Sequence, residues 1–499
     1  MMTILCMPLH AQNVPNAVEF LPEPPSNSSI QYVNDMIQYY WGKSIRTTER
    51  GQEAAAYTPI QMSTYMDAFS SVLGFDISEK NTPAIYNLFD VGMRIGEMAA
   101  EIPQNYYRRT RPYSRFEEHT PIPADENKYS TVGCYPSVPS MLGWLYALML
   151  TEVCPSIQDK VLTQGYNLGL SPVITGYNWN SDTHPGRLLA SAILSRLHSQ
   201  SSFNAWVTDA KNEYEKKVNG FYYSRADEDS TTTDEPDEPT IYPYISLEDV
   251  PDATKFLPGP PDSTSMQFGY DIIQHMEGKD LRNTSTGATA REDVTYDVDN
   301  FCKVFSPYLG ITLSASNTPQ IYELMTRVHP LGNGATQGAK SLYMRKRPYV
   351  QMIEASGYAA DEEDLRYTGS YPSGHASGSW LMALVLSEIA PDAQEEILAR
   401  AYQYGQGRVI TGYHWQTDVD DGRVLATGVY ACLHTSSEFQ AQMLRAKDEF
   451  RDKTTGVRAA SADTSTKSEA PVYTIGGIRL EGQPARHGIY IQGDQKVAY

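Results

Sequence analysis

The chain has 499 residues, 41% of them hydrophobic, which is enough to pack a core in each of two to four domains. Sixty acidic against 40 basic residues give a formal charge of -20, which repels phosphate-rich polymers and argues against nucleic acid as a partner. Apolar runs stay well short of the roughly 20 residues a membrane helix needs, the stretch from Trp380 to Ile389 being interrupted by Ser387 and Glu388, so no membrane partner is expected.

In chain order, residues 1–11 (MMTILCMPLHA) are apolar and end on a small residue, as a secretory signal does, although the basic first segment is missing. They predict a truncated signal peptide and a periplasmic or secreted, cell-surface location in a bacterium. Residues 12–222 read as one helical domain. Residues 223–247 include SRADEDSTTTDEPDEPT, an acidic linker with too few apolar residues to offset its ordering entropy.

Residues 248–458 read as a second helical domain. In it LMALVLSEIAP, after Trp380, predicts a buried helix stopped by Pro391, and AQEEILARAYQYGQ an amphipathic one with acidic residues in its first turn. Residues 459–499 are a Ser/Thr/Ala-rich linker and a tail in which VYTIGGIRLEG and GIYIQGDQKVAY alternate apolar and polar residues around glycines, the pattern of short strands. The tail resembles the β-rich sorting modules of some secreted bacterial proteins; a small β appendage is the alternative. The fold class expected is all-α, two tandem helical domains with a short β-rich tail.

The two domains are expected to be copies of one fold. FLPEPP at Phe20 returns as FLPGPP at Phe256, a displacement of 236 residues. The same displacement carries Asn81-Thr82-Pro83 to Asn317-Thr318-Pro319, Arg111-Pro112 to Arg347-Pro348, Tyr135-Pro136-Ser137 to Tyr371-Pro372-Ser373, and Trp179, Asp182 and His198 to Trp415, Asp418 and His434. Cys6, Cys134, Cys154, Cys302 and Cys432 have neither CxxC pairing nor metal-type spacing, so no metal is expected. Cys134 and Cys154 are a possible bridge in an oxidising compartment, with buried thiols the equal alternative.

Three clusters in the second copy carry chemistry. Lys340 and Arg347 lie seven residues apart, within about 20° of one face if both sit on one α-helix, so that two cations point at one anion. Ser373-Gly374-His375 precedes an apolar helical run, where a hydroxyl and backbone N–H groups face an anion at a helix N-terminus and Gly374 lets the backbone come close. His414 and Asp418 stand at i and i+4, the spacing at which a carboxylate accepts from Nδ1–H and leaves Nε2 reactive, and Arg408 adds a bidentate donor.

KxxxxxxRP, PSGH and RxxxxxHxxxD together resemble the three-part signature of the type 2 phosphatidic acid phosphatase and vanadium haloperoxidase superfamily. FLPGPP, GSYPSGHASGSW and RVITGYHWQTDVDDGR are closer still to bacterial class A non-specific acid phosphatases. The resemblance implies an all-α acid phosphatase for small phosphomonoesters, with phosphate transfer to alcohols as a further activity and no cofactor or metal. It also implies His414 as the nucleophile that becomes phosphohistidine, His375 as general acid and Asp418 as the residue orienting His414. The same resemblance implies that Lys340, Arg347, Ser373, Gly374 and Arg408 hold the phosphoryl oxygens. One departure is Gly407, where the family pattern has serine.

At the same displacement Lys340 falls on Gln104, His375 on Pro139, Arg408 on Pro172 and His414 on Asn178, so the first copy is expected to be inactive. A role for it as partner within an intrachain pseudo-dimer is expected, with a homo-oligomer the alternative. The competing functions are a vanadate-dependent haloperoxidase, because vanadate fits the same anion cage, and a non-enzymatic binding module.

Overall fold

The computed structural model describes residues 14–219 and 242–462 and the tail segments 472–474, 489–492 and 495–498. The signal-like residues 1–11, with Cys6, and the linker up to residue 241 lie outside the described residues. The chain divides into Met1–Lys447 and Asp448–Tyr499. The second unit contains a three-stranded antiparallel sheet, Val472–Thr474 against Ile489–Gln492 and Ile489–Gln492 against Gln495–Ala498, within the two segments whose alternation predicts strands.

Every described element of the first unit is helical. Its centre is made of helices apolar on all sides, which are stable only when surrounded by protein. The helix Val138–Val153 starts at Ser137, whose hydroxyl accepts from the Ser140 amide at 3.3 Å. The helix Gly374–Ile389 starts in the same way at Ser373, with Ala376 as donor at 3.3 Å. Each ends just before a proline, Pro155 or Pro391, that opens a single 3₁₀ turn. The next helices, Gln158–Thr175 and Gln394–Ile410, again begin 236 residues apart.

Val138–Val153, Thr183–His198, Gly374–Ile389 and Gln416–Leu433 pack on one another, so the two halves share one core. Crossed hydrogen bonds tie them together. The Trp144 indole N–H donates to Thr427 Oγ1 at 2.8 Å, and that of Trp380 donates to Ser191 Oγ at 3.2 Å. The rings of His198 and His434 stack with centroids 3.5 Å apart, and Glu152 and Glu388 lie 2.9 and 3.0 Å from their respective Nε2 atoms. Cys134, Cys154, Cys302 and Cys432 are free and buried, so the thiol alternative holds for them.

Trp144 is fully buried and contacts both halves. Trp144→Ala is expected to cost about 3–5 kcal/mol of stability, read as a lower denaturation midpoint.

Candidate active site

Lys340 and Arg347 do not share a helix, contrary to the sequence expectation. The helix Gln337–Tyr343 stops at Met344, which takes a left-handed conformation (φ 41°), and Arg347 is extended because Pro348 follows it. The break turns the arginine inward. Its guanidinium donates to the carbonyls of Leu365, Tyr413 and Gly369 and to Thr368 Oγ1, at 2.9–3.3 Å, and its Nη1 lies 3.2 Å from His414 Nε2.

His414 and Asp418 likewise do not stand on one helix face. Trp415 is the N-cap of Gln416–Leu433, so His414 lies before the helix and Asp418 in its first turn. The Nδ1 atom of His414 is 2.7 Å from the Ser370 carbonyl and 3.6 Å from Asp418 Oδ2, so the carbonyl rather than the carboxylate takes the Nδ1 proton. The ring is thereby set with Nε2 as its lone-pair nitrogen.

Asp418 has other partners. Its Oδ2 accepts from the Trp415 amide at 2.9 Å, and its Oδ1 lies 2.5 Å from Arg345, which also reaches Asp271 at 2.5 Å. Burial pushes the Asp418 carboxyl up, but Arg345 and then His414 bring it down to about 2. In the first half Arg109 bridges Asp35 and Asp182 in the same way.

The remaining residues close round the same point. Arg408, wholly buried near the end of its helix, lies over the Tyr413 ring at 4.7 Å, and its Nε and Nη1 have no hydrogen-bond partner. Burial and Arg347 bring it down to about 10. Lys340 Nζ is 3.1 Å from Asn333 Oδ1; burial, then Arg347, hold it down to about 7. A Cβ on Gly374 would stand 2.1 Å from Asn333 Oδ1 and 3.2 Å from Lys340 Nζ, so only glycine leaves the lysine in place. His375 Nε2 is 2.9 Å from the Val294 carbonyl, and burial followed by Arg408 depresses the ring well below its ordinary value. His414 is brought down to about 3, first by burial.

Gly407 has a packing reason. A Cβ there would approach Ala290 of the helix Ser285–Glu292 at 3.2 Å, a contact tight enough that a serine would require Ala290 to give way slightly.

The expected residues are therefore brought together around three cations: Arg347 Nη1 faces the lone pair of His414 Nε2, and Arg408 keeps two nitrogens without a partner. Such a cage suits a compact oxyanion beside a nucleophilic nitrogen. Residues missed in the sequence are Ser370, Arg345, Asp271, Thr368 and Asn333. For Arg345 and Asp271 a signal existed, since both recur at the fixed displacement as Arg109 and Asp35.

In the first half Asn178 Nδ2 donates to the Cys134 carbonyl at 2.7 Å, copying the Nδ1 contact of His414, but it offers no nitrogen in place of Nε2. Pro172 supplies no guanidinium, and Arg111 is engaged by the carbonyls of Tyr129, Tyr177 and Gly133.

The depressed Asp418 carboxyl stabilises the folded chain above the ordinary carboxylate range of about 4, and that stability is lost as pH falls toward about 2. Arg345→Ala, which leaves Asp418 and Asp271 buried without their shared counter-charge, is expected to cost about 3–5 kcal/mol and to raise the pH of acid unfolding, followed by circular dichroism.

Residues 328–440 match the PAP2 superfamily. Over 214 residues, 43% of this chain and 86% of the relative, the chain is 41% identical to a non-specific acid phosphatase of Providencia stuartii. It is 36% identical over 215 residues to one of Salmonella typhi, covering 43% of this chain and 86% of that protein. An acid phosphatase of Zymomonas mobilis is 31% identical over 198 residues, 40% of this chain and 75% of the relative. The chain thus belongs to the PAP2 superfamily and, within it, to the bacterial non-specific acid phosphatases, an enzyme family of phosphoric monoester hydrolases.

Proposed function

We propose that the second half hydrolyses small phosphomonoesters without a metal, through a phosphohistidine on His414. The observation that carries this reading is the pairing of His414, its Nδ1 proton held by Ser370, with three cations of which Arg408 has two unpartnered donor nitrogens. The phosphoryl oxygens take the place now facing Arg347, Arg408, Lys340 and the N-terminus of Gly374–Ile389, where the helix dipole adds to the attraction. His414 Nε2 attacks phosphorus and the ester oxygen leaves with a proton from His375. Water then opens the phosphohistidine, giving up a proton to His375 and releasing inorganic phosphate. Asp418 serves the site by holding the turn that carries His414.

Substrate binding favours the protonated form of the acid, His375. Arg408, His414 and Lys340 disfavour a charged His375 in the free site, and a phosphoryl dianion among them cancels that repulsion, so binding and protonation go together. Because Lys340 loses its charge near pH 7 in the free enzyme, kcat/KM is expected to fall as pH rises through about 7. A kcat/KM profile flat from pH 5 to 9 contradicts this.

His414→Ala is expected to abolish hydrolysis of p-nitrophenyl phosphate, at least about 10³-fold, while EDTA leaves the wild type unchanged. Equal activity of variant and wild type overturns the nucleophile; sensitivity to EDTA overturns metal independence.

We further propose that the chain is a tandem duplication whose first half is inactive and acts as a built-in partner. Signal-like residues 1–11 support a periplasmic or cell-surface location, and no helix among the described residues is long and apolar enough to cross a membrane. Residues 248–458 expressed alone leave the Trp380 helix uncovered and are expected to aggregate or self-associate in size-exclusion chromatography; a stable, fully active monomer overturns the partner role.

A further inference from the structure

His375 and Arg408 face proline in the first half, at Pro139 and Pro172, and one more ionisable residue follows the same pattern: Asp421 falls on Pro185. Asp421 is buried on the first turns of Gln416–Leu433, one turn beyond Asp418, and its Oδ2 accepts from the hydroxyl of the wholly buried Tyr371 at 2.7 Å. It lines a cavity of about 510 Å³ between the halves, where Arg187 of the first half supplies the facing positive charge. Its counterpart tyrosine, Tyr135, has no such acceptor and donates to the Pro22 carbonyl instead.

Tyr371 belongs to the segment that carries the contacts of the site. Gly369 O and Thr368 Oγ1 accept from Arg347, Ser370 O holds His414 Nδ1, and Ser373 caps the phosphate-facing helix. The backbone of that segment is pinned twice, by Ser370 N to the Arg345 carbonyl at 2.9 Å and by Ser373 N to the Asp418 carbonyl at 2.8 Å. Between these two pins the side chain of Tyr371 is a further anchor, its ring edge-on to Tyr343 with centroids 5.6 Å apart and its hydroxyl held by Asp421.

We infer that Asp421 is a positioning residue for the reaction, fixing the Ser370 carbonyl, and through it the His414 ring, by way of Tyr371. This rests on the phosphohistidine reading above. A loosened Ser370 carbonyl lets the imidazole turn away from its line of attack while the cation cage stays intact, so the loss falls on kcat and not on KM.

The test is steady-state hydrolysis of p-nitrophenyl phosphate by full-length Asp421→Ala, Tyr371→Phe, their double variant and Asp421→Asn, each checked for native near-UV circular dichroism. Asp421→Ala and Tyr371→Phe are each expected to lower kcat about three- to tenfold with KM little changed, the double variant no further than either alone. Asp421→Asn, which keeps an acceptor for the tyrosine, is expected to recover most of the loss. Wild-type kcat in folded Asp421→Ala and Tyr371→Phe, losses that multiply in the double variant, or losses confined to KM overturn the inference. An inactive wild type instead overturns the phosphatase reading itself, and the isosteric Tyr371→Phe decides the matter where Asp421→Ala fails to fold.

Discussion

A guanidinium shared between two buried carboxylates, Arg345 between Asp271 and Asp418, is the interaction on which the site is built. It joins the helix Met266–Asp280, the turn after Met344 and the first turn of Gln416–Leu433, three pieces far apart in sequence. Burying two carboxylates is costly, and one arginine in contact with both offsets it only if each piece sits in its native place. The network therefore specifies the arrangement more than it adds net stability. His414 and Arg347, flanking it in sequence, are placed as a consequence.

The same network survives in the first half as Asp35, Arg109 and Asp182 while Asn178, Pro172 and Pro139 occupy the positions of the reactive groups. On the proposed reading the chain contains the scaffold with and without its chemistry, and the comparison separates the two duties. Asp418 belongs with the scaffold, since its counterpart Asp182 keeps its partners where no histidine needs orienting. On the same reading Arg408 belongs with the chemistry. A wholly buried cation with two unpartnered nitrogens is costly unless an anion visits, and in the first half proline, Pro172, stands at the corresponding position.

Much of this was legible in the sequence, and the reason is physical. Spacings such as PSGH before an apolar run reflect a local rule, a hydroxyl capping a helix, and Ser373 does cap Gly374–Ile389. The all-helical fold followed from periodicity for the same reason. Backbone breaks were not legible from periodicity. Lys340 and Arg347 were expected on one helix, but Met344 turns left-handed between them, a conformation that no feature of methionine announces. Pro348 was the available warning for Arg347. The acceptor for His414 was out of reach altogether, because a backbone carbonyl such as that of Ser370 has no sequence signature, whereas a carboxylate four residues away invites assignment.

In the proposed reaction one imidazole, held by a backbone carbonyl among three cations, takes the phosphoryl group onto its Nε2 nitrogen. It is tested most directly by quenching the enzyme during turnover of a ³²P-labelled phosphomonoester and mapping the label. The expected result is an acid-labile, base-stable label on the peptide containing His414, absent from His414→Ala and absent from the peptide containing Asn178. Label on any other residue, or turnover at the wild-type rate by His414→Ala, would contradict it.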